Sequence, residues 1–363
     1  MNPVIEGFRG IAALLVMIHH YSYSTVWGAE TTHWVHALHS GVDLFFVITG
    51  LLFAPYLLGE RTLPLAAFGL RRTMRLLPLY VISLLVAVSF SSADAGNTSW
   101  ALLKHLLFIQ TWPMFDLASA GFFSLVYWTL PVEVTFYVLV ALVVAVRAYW
   151  PPSNTRTLQQ QTASDLWRPL ALIGTASFSL FALTYLVDYA PQAERWVLWQ
   201  AQLPALLPQF WLGMLVHVVL RKGFAATMGW YAVGLGAGLW LLLAVLYPFV
   251  VVNALTVRPF GWFNLISALA YALMLIGWLG RQPVHAKAGR LNALLVWLGA
   301  ISYSIYLFHS WTLTLTLRWL PSIPTGWSIL LAMGITFAIG MLLHRWVEEP
   351  LREWGRQRAK AIT

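Results

Sequence analysis

The chain has 363 residues, of which 60% are hydrophobic and only 10% charged, with a formal net charge of +9. Apolar runs of about 18 or more residues recur along its whole length, which no water-soluble core of this size requires, so the composition indicates an integral membrane protein. The lack of cysteine excludes disulfides, thiol catalysis and cysteine-bound metals. The basic excess belongs in short loops on one side of a membrane rather than on a surface that binds nucleic acid.

The runs are continuous, not alternating segments of about ten residues, so they read as helices rather than as the strands of a barrel. The expected fold is all-α, a single polytopic membrane domain over 1–363 with about ten transmembrane helices. They fall near 8–27, 40–58, 76–93, 128–147, 169–187, 199–220, 227–250, 261–280, 294–317 and 326–345. If both termini are cytoplasmic, all but four of the twenty-two Lys and Arg lie on the inner side, the exceptions being Lys104, Arg195, Arg258 and Arg318. That asymmetry supports both the count and the orientation.

Span 1 contains "FRGIAALLVMIHHYSYS", Phe8 to Ser24. It has no small-residue cleavage site, so it is not a cleaved signal. Arg9 and His20 are eleven residues apart, three helical turns plus about 20°, and so share one face at a rise of about 16 Å. His19 points elsewhere. A cation at the inner mouth and an imidazole far up the same stripe suit a long ligand, anionic at one end and reactive at the other, and coenzyme A has that shape. The plainer reading makes Arg9 a membrane anchor and His20 a packed hydrogen-bonding residue.

The next outer loop carries His33, His36 and His39 at three-residue spacing beside Trp34, which with Trp27 anchors the interface. This superficially resembles a metal site, but a sugar-contact surface is expected and no metal. Asp43 opens span 2, where it either caps the helix, orients His20 or binds a sugar hydroxyl.

At the inner end of span 3, "RRTMRLLP" puts Arg72 and Arg75 on one face with Pro78 after them, a pair suited to bidentate phosphate recognition. Arg71 and the loop as a whole also fit the positive-inside rule. The short apolar piece Trp100 to Trp112, with Lys104 and His105, reads as interfacial or re-entrant. Glu133 stands inside the outer half of span 4, where a lone carboxylate is costly, and so calls for an arginine, a histidine or the acceptor as its partner.

The stretch 149–168 reads as a polar inner loop, 346–363 as a short inner tail whose Glu348-Glu349-Pro350 ends the helix, and no fused soluble domain is expected. In span 9 Tyr303, Tyr306 and His309 share one broad face and either line a tunnel or pack. No internal repeat or matched pair of broken spans is visible.

Arg9-x10-His20 followed by Arg72-x2-Arg75-x2-Pro78 resembles the signature of the acyltransferase-3 family, integral membrane acyltransferases that modify extracytoplasmic glycans. "GVDLFFVITG" (Gly41 to Gly50), "YWTLPVEVTFY" (Tyr127 to Tyr137), "GAISYSIYLFHS" (Gly299 to Ser310) and "WVEEPLR" (Trp346 to Arg352) resemble its further blocks in order. The Glu133 block departs from the family pattern at Thr129, Pro131, Val134 and Thr135, so the second acidic position is Val134.

The resemblance implies transfer of an acyl group, acetyl above all, from cytoplasmic acetyl-CoA to a sugar hydroxyl of a polysaccharide or lipid-linked glycan on the outer side of a bacterial inner membrane. His20, Glu133 and Asp43 are the expected catalytic residues; Arg9, Arg72, Arg75, Tyr303 and His309 are expected to bind the donor. Partners are then acyl-CoA, a glycan and membrane lipids, with no nucleic acid. A transporter or flippase for a lipid-linked glycan is the alternative from another class, and a non-catalytic scaffold a third.

Overall fold

The computed structural model describes residues 2–22, 34–90, 95–115, 123–149, 165–186, 198–249, 258–281 and 290–362. Every regular element among them is helical. In chain order these are α1 (Pro3–Ser22), α2 (Gly41–Leu57), α3 (Leu65–Ser89), α4 (Ala95–Leu106), α5 (Thr129–Tyr149), α6 (Trp167–Leu186), α7 (Leu203–Arg221), α8 (Phe224–Tyr247), α9 (Arg258–Arg281), α10 (Arg290–Ala300), α11 (Ser302–Trp319), α12 (Thr325–Leu343) and α13 (Glu349–Ala361). Short 3-10 turns, Trp34–Ser40 and Leu125–Trp128, lead into α2 and α5.

Each of the ten expected spans coincides with a helix or with the α10–α11 pair. By length and apolarity seven described helices can cross a membrane, or eight when the bent pair is counted as one span. α1 and α6 are not among the seven. In α1 the reason is visible: Glu6, Arg9, His19 and His20 interrupt the apolar run.

Three boundaries differ from the sequence reading in ways that bear on function. α3 begins at Leu65, not near 76, so Arg72 and Arg75 lie two turns inside the helix rather than at its inner end. Pro78 likewise stands in its interior. The charged stretch lowers hydropathy without breaking the backbone hydrogen-bond ladder, and a hydropathy reading therefore starts the span too late.

Span 9 is not one rod, because α10 and α11 meet at 72° around Ile301. Nor does Glu348-Glu349-Pro350 end the last helix. A π turn, His344–Glu348, carries α12 into α13, where Pro350 occupies a first-turn position at which a missing N–H costs nothing. Most of the 149–168 loop lies outside the described residues.

α13 packs back on α3, with Gly355 against the Met74 side chain. The most extensive helix–helix contacts among the described residues are α8 with α9, α2 with α7, α1 with α10 and α11 with α12. At α2–α7 the backbones touch: a Cβ on Gly50 would sit 1.9 Å from the Phe210 carbonyl oxygen, and one on Gly213 would sit 2.0 Å from that of Val47. Small residues permit such approach between membrane helices, where dispersion rather than water exclusion drives association. Phe210 fills the space beside that contact, its ring stacked on Phe46 and Phe136 at centroid distances of 4.9 and 4.0 Å.

Candidate active site

Five helices surround one cavity of about 810 Å³ of empty space, its open mouth included. α1 contributes Arg9, α3 Arg72 and Arg75, α5 Glu133 and Tyr137, α11 Ser302, Tyr303 and Tyr306, and α2 an apolar wall that includes Phe46 and Phe53. Five sequence-derived candidates, Arg9, Arg72, Arg75, Glu133 and Tyr303, are thus brought to a single chamber from four helices.

Each arginine is held differently. Arg9 is only 7% exposed, and its Nη1 donates to both carboxylate oxygens of Glu6 at 3.3 Å while Nη2 donates to the Ser302 hydroxyl, also at 3.3 Å. The guanidinium of Arg72 is caged by rings, its Cζ 4.8 Å from the centroid of Phe53, 5.2 Å from Tyr137 and 5.7 Å from Phe68. That arrangement steadies a cation by its interaction with π faces and leaves its N–H edge for other acceptors. Arg75 feels the charges of Glu133, Glu348 and Glu6. Among the described residues it makes neither a hydrogen bond nor an ion pair, although it lines the cavity.

Glu133 accepts a short hydrogen bond from the Tyr137 hydroxyl one turn along α5. The partners that make these groups tolerable at membrane depth, Glu6 and Tyr137, stand at i−3 and i+4 from Arg9 and Glu133. That spacing was visible in the sequence, yet the reading passed it over. The Phe53 and Phe68 faces of the Arg72 cage come from other turns and leave no local pattern.

Tyr303 and Tyr306 face the chamber with their rings. Their hydroxyls donate to backbone oxygens, Tyr303 to Leu76 at 2.8 Å and Tyr306 to Val126 at 2.7 Å, the latter also bonded to the Thr129 hydroxyl. Tyr303 therefore ties α11 to α3 rather than offering its hydroxyl to a ligand. Replacing it with Phe removes one such bond, for an expected cost of about 1 kcal/mol seen as a lower melting temperature in detergent, with donor affinity unchanged.

His20, His309 and Asp43 are not part of the cavity lining. His309 follows Tyr306 by three residues on α11, its ring 6.1 Å from the Tyr306 ring, and its Nε2 is 3.1 Å from Nδ1 of His20. The continuous chamber expected between Arg9 and His20 is thus interrupted by Tyr306 and His309. Their shared face is real in one respect, since both meet α11, Arg9 at Ser302 and His20 at His309.

His19 turns the other way, toward the rings of His36 and His39 at 5.8 Å each. Asp43 is 2% exposed and stands beside Gln209 of α7, with its Oδ2 buried and without a hydrogen-bond partner among the described residues. It does not act as a cap, and among the described residues it makes no contact with His20. His39 reaches Asn264 at 3.0 Å, and His33 lies outside the described residues. No group of three His, Cys, Asp or Glu among the described residues is placed to hold a metal.

The site is therefore a cluster of buried arginines beside a carboxylate, with the paired imidazoles of His20 and His309 one helical turn beyond. The acyltransferase domain of the acyltransferase-3 family matches residues 2–345. The chain belongs to the acyltransferase-3 family.

Its relatives include the peptidoglycan O-acetyltransferase OatA of Listeria monocytogenes, 24% identical over 97% of this chain and 56% of the relative. A Staphylococcus aureus protein named as an O-acetyltransferase is 24% identical over 97% of this chain and 58% of its own length. Bacillus subtilis YrhL, named for peptidoglycan O-acetyl transfer, is 23% identical over 97% of this chain and 55% of its own. The chain therefore spans little more than half the length of these relatives. No solved structure matches it. Family membership and the apolar helices together identify an integral membrane protein of the acyltransferase-3 family.

Proposed function

We propose that this protein transfers an acyl group, acetyl by the names of its relatives, from acyl-CoA to a sugar hydroxyl of a glycan on the outer side of a bacterial inner membrane. Peptidoglycan is the acceptor class that those names favour. The observation that carries the reading is Arg75, a guanidinium that lines the same cavity as Arg9 and Arg72 and makes no hydrogen bond or ion pair among the described residues. A planar fork of donors in a chamber walled by low-dielectric side chains is a phosphate receptor in waiting.

Arg72, Arg75 and Arg9 would hold the phosphates of the donor, and its acyl arm would pass Tyr306 toward His20. Neutral imidazole suits proton transfer near neutral pH. The hydroxyl proton moves to the free ring nitrogen of His20 as the new C–O bond forms at the thioester carbon. The C–S bond then breaks, and the leaving thiolate takes that proton. An acyl-histidine relay uses the same nitrogen as nucleophile when donor and acceptor do not meet.

The test is turnover and binding of acetyl-CoA by purified protein in detergent. Arg75→Ala is expected to weaken coenzyme A binding about 10- to 100-fold, the value of a hydrogen bond to a charged group. A flippase or scaffold would hydrolyse and transfer nothing, and unchanged affinity in that variant would remove the basis of the proposal.

A further inference from the structure

The proposed chemistry uses His20 but gives no task to the second imidazole, His309, which is fully buried on α11. Its Nδ1 is 3.0 Å from the Ile305 carbonyl oxygen, which can only accept, so in the neutral ring the proton is on Nδ1 and Nε2 carries a lone pair. That Nε2 is the atom 3.1 Å from Nδ1 of His20. Nδ1 of His20 is in turn 2.9 Å from the Val16 carbonyl oxygen, which places its proton on Nδ1 as well. One N–H of His20 is therefore shared between two acceptors, the Val16 carbonyl and the His309 lone pair, and Nε2 is the nitrogen left to take a proton.

Around the pair stand His19 on α1, its ring 5.1 Å from that of His20, and behind it His39 of the 3-10 turn before α2, its ring 5.8 Å from that of His19. Tyr21 and Tyr306 lie 6.3 and 6.1 Å from the His309 ring. Among the described residues no carboxylate contacts either imidazole of the pair. The place that an aspartate takes behind a catalytic histidine in other enzymes is here occupied by a neutral ring nitrogen.

We infer that His309 is the positioning residue for His20: with the Nδ1 proton held toward it and Nε2 free, it supports the positive charge that forms on His20 as Nε2 takes the hydroxyl proton. As His20 becomes imidazolium, its Nδ1–H strengthens as a donor, and the lone pair of His309 is already aimed at it, so the interaction is stronger in the transition state than before it. The Val16 bond alone sets the tautomer, while the second acceptor adds the charge support. This rests on the reading of His20 as the base.

Three replacements separate this role from a structural one. Gln at 309 sets an acceptor oxygen near the position of Nε2 and gives up the Ile305 bond; Asn keeps a donor near Nδ1 and presents nothing to His20; Ala removes both. Acetyl transfer by purified protein is expected to lose about 10- to 100-fold in kcat for His309→Asn and His309→Ala with little change in KM, and His309→Gln is expected to recover most of it. A readout free of acyl-CoA is the rate at which diethyl pyrocarbonate carbethoxylates His20, followed by peptide mass spectrometry, which should fall in the Asn and Ala variants and return in the Gln variant.

Wild-type kcat in all three variants overturns the inference, as does an Asn variant more active than the Gln variant, since that order marks His309 as a brace for α11. If the carbethoxylation rates follow the expected order while His20→Ala still transfers acetyl at the wild-type rate, the imidazole pair stands and the proposed base role of His20 falls.

Discussion

His20→Ala is expected to lower acetyl transfer about 10²- to 10⁴-fold, the usual worth of a positioned acid–base group, while coenzyme A binding stays within about two-fold of wild type. The separation follows from the geometry. The guanidiniums that would hold the phosphates lie in the chamber lined by Arg9, Arg72 and Arg75, and the imidazole lies beyond Tyr306, outside that lining. Donor affinity and chemistry are then governed by different residues. A variant that loses both together would mean that His20 shapes the chamber itself; one that loses neither would remove the imidazole from the reaction. Turnover should be followed with intact protein in detergent by release of coenzyme A and by acetylated glycan, so that hydrolysis and transfer are counted separately.

Gly50→Val is expected to cost about 3 kcal/mol or more, the upper range for forcing extra methyl groups into a packed interior, and to show as poor yield and a sharply lower melting temperature. The added Cβ has no room, because 1.9 Å from the Phe210 carbonyl oxygen is less than any real contact and both partners are backbone. α2 would have to separate from α7, breaking the reciprocal Gly213–Val47 approach and the Phe46–Phe210 stack with it. Since α2 forms one wall of the arginine chamber, the surviving protein should also bind donor weakly. Gly234→Val on α8 is the control: nothing lies within 4 Å of its missing Cβ. Equal melting temperatures for the two variants would show that α2 and α7 do not touch as described.

What the sequence made legible depended on whether a feature was local. The eleven-residue spacing of Arg9 and His20 put both on one side of α1, and both meet α11. The i, i+3 pair Arg72 and Arg75 and the lone Glu133 were found because charge at membrane depth must have a use, and they share one chamber. The start of α3 was misplaced because hydropathy falls across Arg71 to Arg75, although nothing there stops a helix. The bend at Ile301 has neither a proline nor a paired glycine to announce it. The place of Asp43 at a helix start fits a cap, a contact with His20 or a sugar hydroxyl alike, but it is buried beside Gln209, 166 positions away in sequence. The pairing of His20 with His309, separated by 289, is equally beyond any local pattern.

The opposed charges around the chamber bear on how the protein would cycle. Glu6 is paired with Arg9 and Glu348 with Arg352, while Glu133 shares the chamber with Arg72 and Arg75, so carboxylates and guanidiniums are interleaved around it. In the proposed reaction an entering polyanion would compete with Glu6 for Arg9, while Arg72 and Arg75 have no carboxylate to displace among the described residues. On the proposed function such a site would favour rapid exchange over long residence, as befits a carrier that must leave empty-handed after every delivery.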